Sequence, residues 1–477
     1  MQDKKLKLSL NERFSPFQTK METEGIPTLI IDKFRSCYEK LLKGERGMLS
    51  RNDILPVKKE DIAHMDILDD YTKDGHTAMG KTVMIKLNGG LGTSMGLSKA
   101  KSLIEVKNGL NFLDIIARQT LSYSKESGVN IPLVLMNSFK TDEDSKQFLG
   151  KYPDLVSDIP LSFVQHKFPK VLKDSLSPVY WPKDPENEWN PPGHGDIYFA
   201  LITSGMLNKL LEKRYEYAFI SNSDNLGGIL DYTILGYFAS HGFPFMLEVA
   251  DRTEADIKGG HLAKTISGGL ILREIAQCPD DEIDEFQDIN IHKYFNTNNI
   301  WINLVLLKEK LNKVHNILDL PMIVNPKKID PRDDSSPEVY QIEMAMGSAI
   351  SIFENSTAIR VPRTRFAPVK KSQDLLALWS DCYVLAEDSR IIQNPERKID
   401  SLAIDLDEKY YKKIDQVKEK FPHGAPSLMD CKSFKIVGDV YFGKDITVNG
   451  NINIFSHSTK KVTIPDGMVI NKDLLFN

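Results

Sequence analysis

The chain offers few of the features that would classify it at once. Its 477 residues include only 4 cysteines. Cys37, Cys278, Cys382 and Cys431 are widely scattered and form no C-x-x-C pair, so neither a disulfide framework nor a zinc spacing is present. Such cysteines read as reduced structural thiols of a cytoplasmic protein. No apolar run approaches the roughly 18 residues that a membrane span needs. Met1 to Phe14 mix lysines with acidic residues and lack the apolar stretch of a secretory signal. The tail, Leu474 to Asn477, carries no prenylation or retention motif. Basic excess is absent too: 61 Lys and Arg against 66 Asp and Glu leave a net charge of −5. A general nucleic-acid binder would show the opposite balance. The expectation is a cytoplasmic globular protein with neither membrane nor nucleic acid as partner. At 41% hydrophobic and 27% charged, its composition is that of an ordinary folded chain, with material for about three domains.

Two familiar phosphate-binding motifs are also missing. A Walker loop requires glycine before Lys-Ser/Thr, but Ala100 precedes Lys101-Ser102. In the dinucleotide fingerprint two residues follow Gly-x-Gly before the next glycine; here three separate Gly92 from Gly96. What residues 86–102 do contain is a dense glycine loop, with Gly89, Gly90, Gly92 and Gly96 behind a largely apolar run at 82–85. The run reads as a buried strand. The glycines remove side chains where the backbone must turn and a ligand approach closely, and Lys99 and Lys101 close the segment. Strand, glycine loop and lysine in that order form a phosphate cradle. The chain is expected to handle a nucleotide.

Around the cradle, residues 1–78 read as mostly helical, with amphipathic spacing at 31–42 and a charged linker over 61–74. The central region alternates periods. Asn111 and Asp114 form a plausible cap for a helix that stops near Gly128, 131–136 reads as a strand, and a helix begins near Thr141. Further strands fall at 161–165, 217–221 and 245–250, with 231–240 helical. This alternation implies a mostly parallel sheet with helices on both faces. From 434 to 454 the period changes to six. One apolar row is Phe434, Val440, Ile446 and Ile452; the other is Ile436, Phe442, Val448 and Ile454. Six-residue spacing suits stacked coils of a hexapeptide β-helix; an ordinary antiparallel meander is the alternative. Asp224 follows the apolar run 217–220, which would project its carboxylate into a cleft at a strand end. It reads either as a hard oxygen ligand for Mg²⁺ or as a turn former within a polar pentapeptide.

Seven motifs occur in order: Leu87-x-Gly89-Gly90-x-Gly92-Thr93-x-Met95-Gly96 with Lys101-Ser102; Phe163-Val164-Gln165; Pro191-Pro192-Gly193-His194-Gly195-Asp196; Ser221-Asn222-Ser223-Asp224-Asn225; Lys258-Gly259-Gly260; Phe295-Asn296-Thr297-Asn298-Asn299-Ile300-Trp301; and Arg365-Phe366-Ala367-Pro368-Val369-Lys370. Together they resemble the eukaryotic-type UTP–glucose-1-phosphate uridylyltransferase (UDP-glucose pyrophosphorylase) family, over roughly residues 45–455. The resemblance implies an α/β fold: a Rossmann-like, glycosyltransferase-A-like nucleotidyltransferase domain at 79–388 behind an N-terminal mostly helical region at 1–78. It also implies a C-terminal left-handed β-helix at 389–477. It further implies transfer of UMP from UTP to glucose 1-phosphate, giving UDP-glucose and pyrophosphate, by direct attack at the α-phosphorus with Mg²⁺ and no covalent enzyme intermediate.

By the same resemblance, Lys101 and Lys370 are the catalytic cations, although the adjacent Lys371 leaves a one-residue ambiguity. Leu87, Asn88, Gly89 and Gly90 should hold the uridine, Gln165 and Gly193 should read the uracil, and Asp224 should bind the nucleotide and the metal. His194, Asn222, Gly260, Glu274, Asn296 and Asn298 should face the sugar phosphate; the lesser alternative for His194 is a residue ordering a proline–glycine turn. Phe295 and Trp301 read as core. Three rivals are weighed. Related hexosamine-type or broad-specificity enzymes carry Gly-x-Gly-Thr-Arg-Leu-Gly and Pro-Lys-Gly, whereas this chain has Thr93-Ser94-Met95-Gly96 and Ala100-Lys101-Ser102. A catalytically silent nucleotide-sugar sensor would be expected to lose Lys101, Asp224 or Lys370. A nicotinamide oxidoreductase is disfavoured by the glycine spacing. Some family members form octamers through the C-terminal domain and others are monomers. The chain ends soon after Pro465-Asp466-Gly467, which disfavours the octamer but leaves monomer and homo-oligomer open.

Overall fold

The apolar run behind the glycine loop extends into strand β1 (Thr82–Asn88), buried along its whole length. The computed structural model that places it describes residues 9–477 apart from 98, 332, 334, 400 and 459. Residues 1–8, part of the expected helical region, lie outside these. Helices α1 (Leu10–Thr23) and α2 (Thr28–Leu42) follow. The stripe Ile30, Ile31, Phe34, Tyr38 and Leu41 on α2 is buried, the spacing that turns one helix face to a core. The stretch read as a charged linker ends instead in a third helix, α3 (Thr72–Met79). A Cβ on its Gly75 would lie 1.8 Å from the Tyr232 carbonyl oxygen. That glycine allows backbone contact with the helix beginning at Tyr232, so a residue that weakens an isolated helix here makes its packing.

The central region then runs α4 (Phe112–Ser127), β2 (Leu133–Asn137), α5 (Asp142–Leu149), β3 (Ser162–Val164), α6 (Ile197–Thr203), β4 (Tyr217–Asn222), α7 (Tyr232–Ser240) and β5 (Phe245–Asp251). Asn111 and Asp114 cap α4 reciprocally, and Gly128 ends it at φ 69°. Thr141 does not cap α5: its hydroxyl donates to the Asn88 carbonyl oxygen at 2.8 Å. After β5 the chain makes the hairpin β6 (His261–Thr265) and β7 (Leu270–Arg273), then β8 (Tyr294–Asn303), the antiparallel pair β9 (Met322–Lys328) and β10 (Glu338–Met344), and β11 (Thr357–Arg360).

The main sheet has the order Ala63–His64, β11, β5, β8, β4, β1, β2, β3. β4, β1, β2 and β3 are mutually parallel, as are β5 and β11. Along this row β8 is the exception, running against both β4 and β5; off the row, β6 joins the same sheet antiparallel to β8, and β7 and Ile54–Pro56 join antiparallel to β6. The excursion through β6 and β7 begins where β5 ends, so the chain re-enters the sheet from that end and must run backwards.

Helix α8 (Ser372–Trp379) leads to the C-terminal part. There β12 (Ala403–Leu406), β13 (Cys431–Val437), β14 (Val440–Phe442), β15 (Thr447–Val448), β16 (Gly450–Ser456), β17 (Val462–Ile464), β18 (Val469–Ile470) and β19 (Leu474–Phe476) fall into three small sheets. Every strand pairing in them is parallel: β12–β13–β16–β19, β14–β17 and β15–β18. An antiparallel meander is therefore excluded. Both six-residue rows are buried, and Phe434 pairs with Ile452 and Ile436 with Ile454. This unit packs against the glycine loop, α8 and the residues before it: Met95, Val369 and Leu375 share a cluster with Ile414.

Candidate active site

At the carboxyl end of β1 the chain turns through the glycine loop. The Lys101 N–H donates to the Gly90 carbonyl oxygen at 3.0 Å and the Gly92 N–H to that of Lys99 at 3.3 Å, closing the loop on itself. A Cβ on Gly89 would lie 2.7 Å from Gln165 Nε2, so the missing side chain lets that amide reach the loop. Gln165 is held from both sides. Its N–H donates to the Asn137 carbonyl oxygen at 2.8 Å, and the N–H of His166 donates to the buried Asp196 carboxylate at 2.6 Å.

Two chambers open beside the loop. The first, of about 300 Å³, is lined by Leu87, Gly89, Gly90, Lys101, Gln165, Gly193, His194, Asn222 and Asp224, with Met136, Pro191 and Ser223. The second, of about 310 Å³, takes in Gly193, His194, Asn222, Asp224, Gly260, Glu274, Asn296, Asn298 and Lys370, along with Phe295, Asn325, Glu343 and others. The two share Gly193, His194, Asn222 and Asp224 and therefore meet at the end of β4. Of the residues expected at a site, all but one line a chamber. The exception is Asn88, whose side chain is buried and donates to Asn137 Oδ1 at 2.7 Å and Ser145 Oγ at 2.8 Å. The two adjacent lysines, Lys370 and Lys371, are placed differently. Lys371 Nζ pairs with Glu408 at 2.8 Å, while Lys370 is exposed at the second chamber. Phe295 and Trp301 are buried, as expected of core residues, although Phe295 also lines the second chamber.

Charge is concentrated where the chambers meet. Lys101 Nζ lies 2.5 Å from Asp224 Oδ2, with both side chains largely shielded. His194 Nδ1 accepts a hydrogen bond from the Met346 N–H at 2.8 Å, so its proton sits on Nε2. Burial lowers its pKa to about 4, which keeps the ring neutral near pH 7 and makes it a neutral donor. The bond ties the His194 turn to the backbone at Met346. In the second chamber burial pushes the Glu274 carboxyl up to about 7. Gly260 makes room for it, since a Cβ there would lie 2.6 Å from the Glu274 carboxylate. Burial raises the Glu343 carboxyl as well, partly offset by a hydrogen bond with Asn325. Sequence reasoning missed both Glu343 and Asn325. They lie on β10 and β9, opposite the motif strands, and no local pattern marks them.

A glycine cradle with a lysine, opening past one aspartate into a second polar chamber at the carboxyl ends of sheet strands, is the arrangement of an α/β nucleotidyltransferase. Residues 31–449 match the family model described as UTP--glucose-1-phosphate uridylyltransferase, and the chain belongs to that family. It is 38% identical over 447 residues to the UTP--glucose-1-phosphate uridylyltransferase of Solanum tuberosum, covering 92% of this chain and 91% of that one. Among solved structures, a UDP-glucose pyrophosphorylase mutant from Leishmania major in complex with UDP-glucose superposes with a TM-score of 0.90 at 39% identity, over 98% of this chain and 100% of that one. A UDP-glucose phosphorylase from Trypanosoma brucei superposes with a TM-score of 0.89 at 43% identity, over 98% and 100%.

Proposed function

We propose that this protein transfers UMP from UTP to glucose 1-phosphate, releasing pyrophosphate and forming UDP-glucose, reversibly. The observation that carries the reading is the junction of the two chambers at Asp224 and His194. A nucleotide in the first and a sugar phosphate in the second would meet phosphate to phosphate. The uracil faces Gln165, whose amide offers a donor and an acceptor to its edge. Cytosine would leave buried polar groups unpaired. Leu87, Gly89 and Gly90 hold the uridine, with Asn88 contributing only backbone. Asn222, Gly260, Glu274, Asn296 and Asn298 meet the sugar.

The obstacle is electrostatic. Two unit charges about 4 Å apart interact by roughly 4 kcal/mol at the effective dielectric of a protein surface, and the two substrates are multiply charged. Lys101 from one wall and Lys370 from the other supply fixed countercharge, and the His194 Nε2–H donates to the sugar phosphate without adding charge. The phosphate oxygen of glucose 1-phosphate attacks the α-phosphorus directly and pyrophosphate leaves. The protein's work is alignment and charge stabilisation.

The residues fit Mg²⁺. Asp224 offers one carboxylate at the junction, and Mg²⁺ characteristically takes one or two carboxylates with phosphate oxygens and water. Among the described residues no group of three His, Cys, Asp or Glu side chains forms a closed metal cage. When bound, the ion neutralises charge on the phosphate oxygens.

The same reading assigns 1–78, 79–388 and 389–477 as the N-terminal, catalytic and C-terminal domains. The parallel strands of the last coil as a left-handed β-helix. No helix among the described residues is long and apolar enough to cross a membrane, and the four cysteines are free and buried, as suits a reducing cytoplasm. The test is Mg²⁺-dependent pyrophosphate release from UTP with a panel of sugar 1-phosphates. A strong preference for glucose 1-phosphate supports the reading, similar rates with N-acetylglucosamine or galactose phosphates refute the narrow substrate, and no release with any sugar refutes the reaction.

A further inference from the structure

We infer that Asn225 is a positioning residue, holding the turn that bears Asp224 and the segment that bears Lys370 in one fixed relation. The inference rests on the proposed roles of those two residues. Asn225 is 2% exposed, and its amide uses all four of its hydrogen-bonding positions. Nδ2 donates to Asn299 Oδ1 and to the Arg365 carbonyl oxygen, each at 3.1 Å. Oδ1 accepts from the Gly227 N–H at 3.1 Å and the Ala367 N–H at 2.9 Å. One side chain thus joins its own turn, the sheet strand β8 and the 365–370 segment. The backbone adds a second tie, since the Val369 N–H donates to the Asp224 carbonyl oxygen at 3.1 Å.

Beneath this clamp lies a rigid base. Glu248 is fully buried and accepts from Arg365 Nε at 2.7 Å, Arg365 Nη2 at 2.6 Å, Asn299 Nδ2 at 2.9 Å and Trp301 Nε1 at 2.9 Å. A bidentate arginine fork of this kind fixes orientation as well as charge. The 365–370 segment therefore cannot slide on the sheet without breaking the base, nor swing from Asp224 without breaking the Asn225 amide. Lys370 itself is exposed, and among the described residues it appears in none of the ion pairs. Its Nζ lies 5.8 Å from the centre of the Phe366 ring, a neighbour on the same segment, so its placement follows the segment that carries both.

The test is a double-mutant cycle in the full-length enzyme, reading kcat and KM for UTP. Asn225→Ala is expected to lower kcat roughly 10²-fold while KM for UTP stays within about 3-fold, because none of the four Asn225 amide bonds goes to Gln165 or to the glycine loop. Lys370→Ala alone lowers kcat. In the Lys370→Ala background, adding Asn225→Ala should cost no more than about 3-fold further, because the relation it fixes, of Lys370 to Asp224, has already lost one of its two members. A residue that only supports the fold would give multiplicative losses, and that result overturns the inference. Gly227→Ala provides a second perturbation if Asn225→Ala does not fold. Its Cβ would lie 2.3 Å from the Thr364 carbonyl oxygen, wedging the same two segments apart with Asn225 intact, and its defect should likewise vanish without Lys370. Wild-type turnover by Lys370→Ala would instead overturn the catalytic role of Lys370, and the inference with it.

Discussion

Replacing Gly89 by alanine should convert a uridine-selective site into a permissive one. The new Cβ would lie 2.7 Å from Gln165 Nε2 and 3.1 Å from its Cδ. Ordinary contact needs about 3.5 Å or more, so the Gln165 amide must retreat by roughly 0.8 Å or swing aside. Its backbone cannot follow, being pinned by the bond to Asn137. A paired polar edge is thereby lost. Leaving buried polar groups unpaired costs about 1–3 kcal/mol, and each 1.4 kcal/mol is tenfold. The preference for UTP over CTP, measured as the ratio of kcat/KM values, should fall by about 10- to 100-fold. Thermal stability should change little, because Gly89 has no positive φ to strain. Gly90→Ala is the control: a Cβ there meets nothing within 4 Å, so Gln165 stays in place. That variant should raise KM for UTP without altering base selectivity. If Gly89→Ala lowers activity equally for UTP and CTP, Gln165 does not read the base.

Three further outcomes are expected. Lys101→Ala should reduce turnover roughly 10²- to 10³-fold, the scale of one preorganised charge-stabilising donor. It should leave the melting curve nearly unchanged, since Asp224 opens onto both chambers and stays accessible to water without its partner; a lost melting transition would mark the lysine as structural. Asp224→Asn should shift the Mg²⁺ activation curve to higher concentration, and a wild-type titration would remove Asp224 from the metal site. Glu274 should leave a mark on stability against pH. Its native pKa of about 7 lies above the usual 4.5, so between those values the native state holds a proton the unfolded chain has released. Stability from this group is therefore lost as pH rises from about 4.5 to 7. Urea denaturation of Glu274→Gln should show a shallower decline over that window, and identical curves would contradict the burial of this carboxyl.

Much of this was readable from the chain because the reaction's demands are local. The glycine loop, the cap at Asn111 and the strands feeding Gln165 and Asp224 each announce themselves within a dozen residues. The six-residue apolar rows likewise marked the parallel C-terminal strands. What escaped is non-local. The reversal of β8 depends on where an excursion re-enters the sheet, which no periodicity encodes. Helix α3 was hidden within a stretch whose charge suggested a linker, and Gly75 acts as a packing surface only beside α7. Glu343 and Asn325 enter the second chamber through the pairing of β9 with β10, and the Glu248–Arg365 fork joins residues far apart in sequence. Asn88 shows the converse: a motif residue whose side chain turns inward to brace the loop rather than outward to the ligand.

The most direct measurement is a crystal structure of the protein with UDP-glucose. The uracil should lie against Gln165 and Gly89 in the first chamber and the glucosyl group among Glu274, Asn296 and Asn298 in the second, with the diphosphate crossing between them at Asp224. A nucleotide sugar seated elsewhere, or with base and sugar exchanged between the chambers, would contradict the proposed meeting of the two substrates.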